Sequence, residues 1–289
     1  MKIKILIPVY NDWQSVFKLL ENINSEVSHL YQEFSVIIVN DASTEIKPDL
    51  SVNLEKLNSI KIINMKENRG HARCNATGLK HIFENEEFDY VIPMDGDGED
   101  RPEEIKQLVD NLNYHPDKPI VGERIKRSEG IFFKFCYFVH KIITSTFTGQ
   151  SIKYGNYTCL PKSIVEKMIK EKATWSSFSG SLAKIARDRA TIPSERGTRY
   201  FGPSKMSFKN LLIHSLSIIS VFKINVLIRS TLFLLVYFFL VFQKLSIIMM
   251  IRIILILILV FSVFAVSKRE NLSELNNSLS NILNIDTIK

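Results

Sequence analysis

The sequence predicts an α/β fold built on a largely parallel sheet, followed by a helical hairpin long enough to span a membrane. Three observations predict it. Short apolar runs alternate with helix-patterned stretches through the first half of the chain, and such alternation implies parallel strands with helices on both faces. Each polar cluster in that half follows directly on an apolar run, and ligands of open α/β sheets bind beyond the carboxyl ends of the strands. Residues 226–242 and 245–266 are almost wholly apolar and are separated only by Gln243-Lys244.

The elements follow in order. Residues 2–8 form an apolar run ending in Pro8, then Asn11-Asp12, then a helical pattern from Trp13 through Leu19-Leu20 to Ile23; this is strand, loop and helix. Residues 34–39 read as a second buried strand, ending in Asn40-Asp41-Ala42-Ser43-Thr44. A strand at 60–63, a helix at 70–83 and a strand at 88–94 come next, the last running into the acidic loop 95–100. Pro102 stands where a helix begins, with Glu103 and Glu104 in its first turn, where the helix dipole favours acids. Residues 119–122 give one more strand.

Beyond residue 125 the character changes. Residues 130–147 are rich in Phe, Ile and Val with Lys134, His140 and Lys141 interspersed, which suits a helix lying on a membrane surface. Residues 206–225 read as a second interface helix. At ~1.5 Å per residue the run 245–266 crosses a hydrocarbon core of roughly 30 Å, and 226–242 nearly does. Arg229 and Arg252 lie near the starts of these runs, where they can snorkel. Lys205, Lys209 and Lys223 precede the hairpin and Lys268-Arg269 follow it, so the positive-inside bias puts both ends in the cytoplasm. Residues 267–289 read as a polar tail with Leu and Ile at helical spacing and no legible function.

A formal net charge of +7 fits an anionic partner (nucleic acid, a membrane face or a phosphorylated substrate) or a merely solvated basic surface. The basic residues gather around membrane-facing segments rather than an aromatic platform, which disfavours nucleic acid. Cys74, Cys136 and Cys159 are too few and too widely spaced for a disulfide framework or a zinc knuckle. The apolar run 3–9 is too short for a secretory signal, which again places the soluble part in the cytoplasm.

The sharpest chemical signal is Met94-Asp95-Gly96-Asp97-Gly98-Glu99-Asp100. Carboxylates crowded onto a strand-end loop repel one another, and a divalent cation is the simplest remedy; a solvated turn is the alternative. A helix–loop–helix calcium site is excluded, because its obligatory glycine and glutamate positions hold Asp100 and Lys106. Asn68-Arg69-Gly70-His71-Ala72 places glycine at a helix start, where backbone N–H groups can meet a phosphate or simply cap the helix. His71, His81 and His140 show no partner pattern and read as surface or core residues.

Ile7-Pro8-Val9-Tyr10-Asn11, Val39-Asn40-Asp41-Ala42-Ser43, Asn68-Arg69-Gly70 and Met94-Asp95-Gly96-Asp97 occur in the order and spacing of the family 2 glycosyltransferases, which the chain therefore resembles. Gly122-Glu123-Arg124, Gly155-Asn156-Tyr157 and the run from Arg199 to Met206 resemble the dolichyl-phosphate mannose synthase and bacterial polyprenyl-phosphate glycosyltransferase branch. The resemblance implies a GT-A (nucleotide-diphospho-sugar transferase) Rossmann-like domain over 1–205, interface helices and a transmembrane hairpin, at a bacterial inner membrane.

It also implies roles at the matching positions. Pro8, Tyr10 and Asn11 would line a nucleotide pocket with Asn68 and Gly70, and Asp41 would pair with the base. Asp95 and Asp97 would face the sugar-diphosphate, with Asp97, Glu99 and Asp95 available to Mg²⁺ or Mn²⁺. Arg199, Ser204 and Lys205 would close over the diphosphate. Apart from the resemblance, Arg124, Lys126, Arg127 and Lys134 lie by the amphipathic 130–147 segment, where they can position an acceptor phosphate or only touch anionic lipid; the branch's own basic acceptor site is not cleanly matched, Lys134 being the nearest to it. Glu99 stands where the branch has glutamine, and Asn40 where it has aspartate. The expected reaction is metal-dependent inverting transfer of one sugar from a UDP- or GDP-linked donor to a polyprenyl phosphate, with a homo-oligomer left open. The rivals are a related enzyme with a hydroxyl acceptor, which needs a general base, and a non-catalytic lipid- or partner-binding membrane protein, which the retained carboxylates disfavour.

Overall fold

The computed structural model describes residues 1–48, 53–126, 131–203, 207–241 and 246–289; the side chains of 126 and 131–135 lie outside the description. The chain divides into two compact units: Met1–Ser128 with Lys153–Lys205 and Asn271–Lys289, and Glu129–Ile152 with Met206–Glu270. In chain order the elements are β1 (Lys2–Val9), α1 (Trp13–Glu26), β2 (Glu33–Asn40), β3 (Leu57–Met65), α2 (His71–Asn85), β4 (Tyr90–Pro93), α3 (Ile105–Leu112) and β5 (Ile120–Lys126). They continue with α4 (Ile131–Thr148), β6 (Thr158–Pro161), α5 (Lys162–Lys170), α6 (Phe178–Ile185), β7 (Ala190–Glu195), α7 (Phe208–Ser220), α8 (Lys223–Val241) and α9 (Ile247–Ser267). The chain closes with α10 (Leu272–Asn276) and β8 (Ile282–Thr287).

In the first unit, among the described residues, one sheet runs in the order β7-β5-β6-β4-β1-β2-β3-β8. β1 pairs in parallel with β2 and β4, and β2 with β3, as the alternating pattern predicts. β6 is antiparallel to both β4 and β5, and β8 is antiparallel to β3. β1 is the hub: Ile3, Ile5, Leu6 and Ile7 are fully buried, because helices cover both sheet faces and leave no polar alternation. α1 seals one face with Trp13, Val16, Leu19, Leu20 and Ile23, which recur at helical spacing. α2 packs on β1 and β2 and buries Cys74, Leu79 and Ile82.

This winding positions the site. The chain steps from β1 to β2 to β3 in one direction and then places β4 on the other side of β1. The carboxyl ends of β1 and β4 therefore flank a topological switch point, where open α/β sheets bind their ligands.

The tail departs from its sequence reading. Residues 271–289 do not trail away: they belong to the first unit, and β8 pairs with β3 from Lys61↔Thr287 to Met65↔Ile282. The strand is polar and mostly exposed, so no apolar run announces it; backbone pairing at the sheet edge holds it.

The second unit is helical. α8 and α9 are long and apolar enough to cross a membrane by length and composition, and they show exposed Leu232, Phe239, Leu255 and Phe261. Ile219, Val226 and Val263 form its small core. Arg229 is more than a snorkelling cation: its guanidinium donates to the Thr146 carbonyl at 3.0 Å, while Asn225 Nδ2 donates to the Thr148 carbonyl at 3.1 Å. Both satisfy carbonyls orphaned at the α4 C-terminus, where positive charge also complements the helix dipole.

Ile5→Ala at the centre of β1 leaves a cavity between α1 and the sheet. It should cost about 2–5 kcal/mol of stability, read as a lowered melting midpoint of the first unit in detergent-solubilised protein.

Candidate active site

Two loops leave the switch point and brace each other. Asn11, at the end of β1, takes a positive φ of 50°. Its N–H donates to Ser43 Oγ at 2.9 Å, and its Oδ1 accepts from the amides of Thr44 at 2.8 Å and Glu45 at 3.1 Å. Asp41 is buried, and its two oxygens accept from the backbone N–H groups of Arg69 at 2.7 Å and Gly70 at 2.9 Å. Asp41 thus anchors the loop that opens α2. Pro8 is buried at the strand end, Tyr10 is exposed, and Asn68 lies exposed on the α2 loop.

The acidic loop after β4 is pinned from within. Asp100 Oδ2 accepts from the Asp95 N–H at 2.9 Å, and Asp97 Oδ1 from the Glu99 N–H at 3.0 Å. Gly98 has φ 88° and lies under the Tyr200 ring, where an added Cβ would sit 2.6 Å from ring carbons. Two requirements, backbone sign and space, therefore fix glycine there.

The segment after β7 lies along this loop. Gly197 N–H donates to the Glu99 carbonyl and Tyr200 N–H to the Asp97 carbonyl, both at 2.9 Å. Its arginines meet the carboxylates: Arg196 bonds Glu99, and Arg199 reaches Asp97 and Asp12 at 2.5 Å each. Arg124, on β5, brings its guanidinium to 3.9 Å from Asp100. It fits because position 155 is glycine; a Cβ there would lie 2.8 Å from the guanidinium. Neighbouring Asn156 donates to Asp95 Oδ1 at 3.1 Å, and Tyr157 donates its O–H to the Arg101 carbonyl at 2.7 Å.

Electrostatics follow from this crowding. Burial, reinforced by the charges of Asp95 and Glu99, pushes Asp97 up to about 6. Burial and Asp95 push Asp100 up to about 7 against the pull of Arg124. Burial also opposes ionisation of Asp95, but His71, Asn156 and Arg124 outweigh it and hold that carboxyl below its ordinary range. His71 is the counterpart: burial disfavours its cation, yet Asp95 beside it, with Asp100 and Asp97, raises its pKa.

The structure thus gathers Asp95, Asp97, Glu99, Arg124 and Arg199 at one loop, and Asn11, Asp41 and Gly70 at the adjoining pair. Ser204 and Lys205 lie outside the described residues, as does the side chain of Lys134. The sequence reading missed Asp12, Arg196, Asn156 as an Asp95 donor, and above all His71, whose Nε2 is 3.2 Å from Asp95 Oδ1 and 2.6 Å from Asn156 Nδ2. Its position directly after Asn68-Arg69-Gly70 was the available signal.

Among the described residues no three Asp, Glu, His or Cys side chains converge into a metal cage. That suits Mg²⁺ or Mn²⁺ held by one or two carboxylates together with substrate phosphates and water. The oxygen donors are hard, as such a cation requires.

Comparison with known proteins agrees with this architecture. The chain is 28% identical over 221 residues to an undecaprenyl-phosphate 4-deoxy-4-formamido-L-arabinose transferase of Salmonella choleraesuis, covering 73% of this chain and 64% of that one. The same figures hold for its namesake in Salmonella paratyphi B. The matched region thus spans somewhat under two thirds of those relatives. Glucosyl-3-phosphoglycerate synthase from Mycobacterium tuberculosis, solved with Mn²⁺, UDP and glucosyl-3-phosphoglycerate, superposes with a TM-score of 0.56 at 12% identity, covering 78% of this chain and 79% of the other. Residues 1–349 of S. aureus TarS with UDP-GlcNAc give 0.52 at 15% identity, covering 96% and 88%. These likenesses show that the first unit has the GT-A-like fold. The model of glycosyl transferase family 2 matches residues 4–163, more than half of the 289, and the protein belongs to that family.

Proposed function

We propose that the protein is a metal-dependent enzyme that transfers one sugar from a UDP- or GDP-linked donor to a polyprenyl phosphate, with inversion, at the cytoplasmic face of the membrane its hairpin crosses. The observation that supports this best is the meeting of Asp97, Glu99 and Asp100 with Arg199, Arg196 and Arg124 on the loop beyond β4. The curated relatives are named for undecaprenyl-phosphate transfer, and the apolar α8 and α9 suit a lipid-linked acceptor.

The nucleoside would lie over Pro8, Tyr10 and Asn11, with Asp41 at the base and its phosphates towards Gly70 and the α2 N-terminus, whose N–H groups favour anions. Asp97, with Asp95 and Glu99 within the same loop, would hold Mg²⁺ or Mn²⁺, which when bound neutralises charge on the departing diphosphate. Arg199, extended by Ser204 and Lys205, would steady that leaving group. Arg124 would orient the acceptor phosphate. One of its oxygens bonds to the anomeric carbon as the bond to the diphosphate oxygen breaks and its electron pair departs with the nucleotide. The attacking oxygen is already ionised, so no general base is required.

Membranes containing the protein, given radiolabelled nucleotide-sugars and Mg²⁺ or Mn²⁺, should form a glycolipid labile to mild acid. Label confined to acid-stable lipid would contradict the phosphate acceptor and favour a hydroxyl.

Asp97→Ala should lower turnover by about 10²–10³-fold, as loss of a group stabilising transition-state charge does, measured as initial rate of glycolipid formation. Gly155→Ala should displace Arg124 and raise the acceptor KM about tenfold, with the donor KM unchanged.

A pH dependence follows from the carboxyls. Asp97 and Asp100 have folded values of about 6 and about 7 against an ordinary 3.8. Their contribution is fully present below 3.8 and is lost as pH rises through the folded values. His71, also raised, contributes in the same direction. The protein without metal should therefore melt higher at pH 5.5 than at pH 7.5, and Asp100→Asn should flatten that slope in a melting series.

A further inference from the structure

The segment after the hairpin, to which the proposed reaction assigns nothing, touches two of the loops that build the donor pocket. Through β8, Asn64 Nδ2 donates to Asn284 Oδ1 at 2.7 Å and to Asp286 Oδ2 at 2.9 Å. Asn64 Oδ1 in turn accepts from Asn40 Nδ2 at 2.9 Å, and Asn40 Oδ1 accepts from the Ser43 N–H at 3.0 Å. A polar relay thus crosses three strands, from the terminal segment to the turn that carries Asp41 and braces Asn11.

The second tie runs through α10. Glu274 accepts the Trp175 indole N–H at 2.7 Å and lies 4.0 Å from the Arg73 guanidinium. That guanidinium stacks over the Trp175 ring at 5.4 Å. Arg73 is in the first turn of α2, two residues after His71, and its N–H donates to the Gly70 carbonyl at 3.0 Å. Ala76, Trp175 and Leu275 bury one another beneath it, while Lys66 donates to the Ser280 carbonyl at 2.7 Å.

Backbone pairing alone would suffice to cover the β3 edge. The side chains do more: each relay ends on a loop that the donor-pocket reading places beside the nucleotide. We infer that Asn271–Lys289 is a positioning element of the donor pocket. Glu274 fixes the first turn of α2 through Trp175 and Arg73, and Asn284 with Asp286 fixes the Asn40–Ser43 turn through Asn64. The inference rests on the donor-pocket reading above. It ties nucleotide binding to the chain segment that directly follows the apolar hairpin.

The test uses the full-length protein in nanodiscs. Glu274→Ala and the double variant Asn284→Ala/Asp286→Ala are compared with Glu274→Gln, which keeps an acceptor for Trp175. Leu283→Ala, on the exposed side of the same strand, serves as a control. UDP and GDP binding with Mn²⁺ is measured by calorimetry, donor KM and kcat separately where turnover is seen, and amide hydrogen exchange throughout.

Each alanine variant should lose about fivefold or more in nucleotide affinity, with kcat, acceptor KM and melting midpoint close to the parent. Exchange should quicken at 40–45 for the β8 variant and at 69–76 for Glu274→Ala, while Glu274→Gln recovers most of the loss and Leu283→Ala shows none. Unchanged affinity and exchange would overturn the inference. So would losses that spread evenly over the domain and track the melting midpoint, since these mark edge stabilisation alone. If the parent binds neither nucleotide, the donor reading fails, while the confined exchange pattern still decides whether the segment positions those loops.

Discussion

Asp95, Asp97, Glu99 and Asp100 crowd into six consecutive residues at the end of a buried strand, and their mutual repulsion shapes everything around them. Asn156 and His71 attend Asp95, Arg199 bridges Asp97 to Asp12, Arg196 meets Glu99 and Arg124 approaches Asp100. Such part-buried ion pairs seldom stabilise a fold on balance, because desolvation offsets their attraction. Their value here is that the charges can be re-partnered. On the proposed function, the carboxylates would turn to a bound cation and the arginines to the diphosphate, so that both partners stay neutralised when the ligand enters.

The same constraint explains which glycines are indispensable. Gly98 lets Tyr200 close over the acidic loop, and Gly155 gives Arg124 its approach to Asp100. Each is a place where a neighbouring charge or ring needs the volume of a side chain.

Legibility in the sequence followed burial. β1, β2 and β4 are covered on both faces, so they appear as apolar runs, and the loops after them could be placed at once. β6 is only four residues, β7 alternates and contains Pro193, and β8 is polar and mostly exposed; none leaves a hydrophobic signature, because edge and short strands rely on backbone pairing. The site divides similarly. The acidic run declares itself by local density, and Arg124 and Arg199 through motif. His71 and Arg196 gain their meaning only from partners 24 and 97 residues away, a distance that no local pattern encodes. The terminal segment reads locally as a polar tail for the same reason: its partners are on β3, α2 and Trp175.

Whether the acidic loop holds a nucleotide-bound cation is measured most directly as Mn²⁺ binding by electron paramagnetic resonance, with and without UDP or GDP, in the parent and in Asp97→Asn. Nucleotide should strengthen retention of one Mn²⁺ per chain, and Asp97→Asn should weaken it about tenfold or more. Mn²⁺ and nucleotide binding undiminished by Asp97→Asn would contradict such a site.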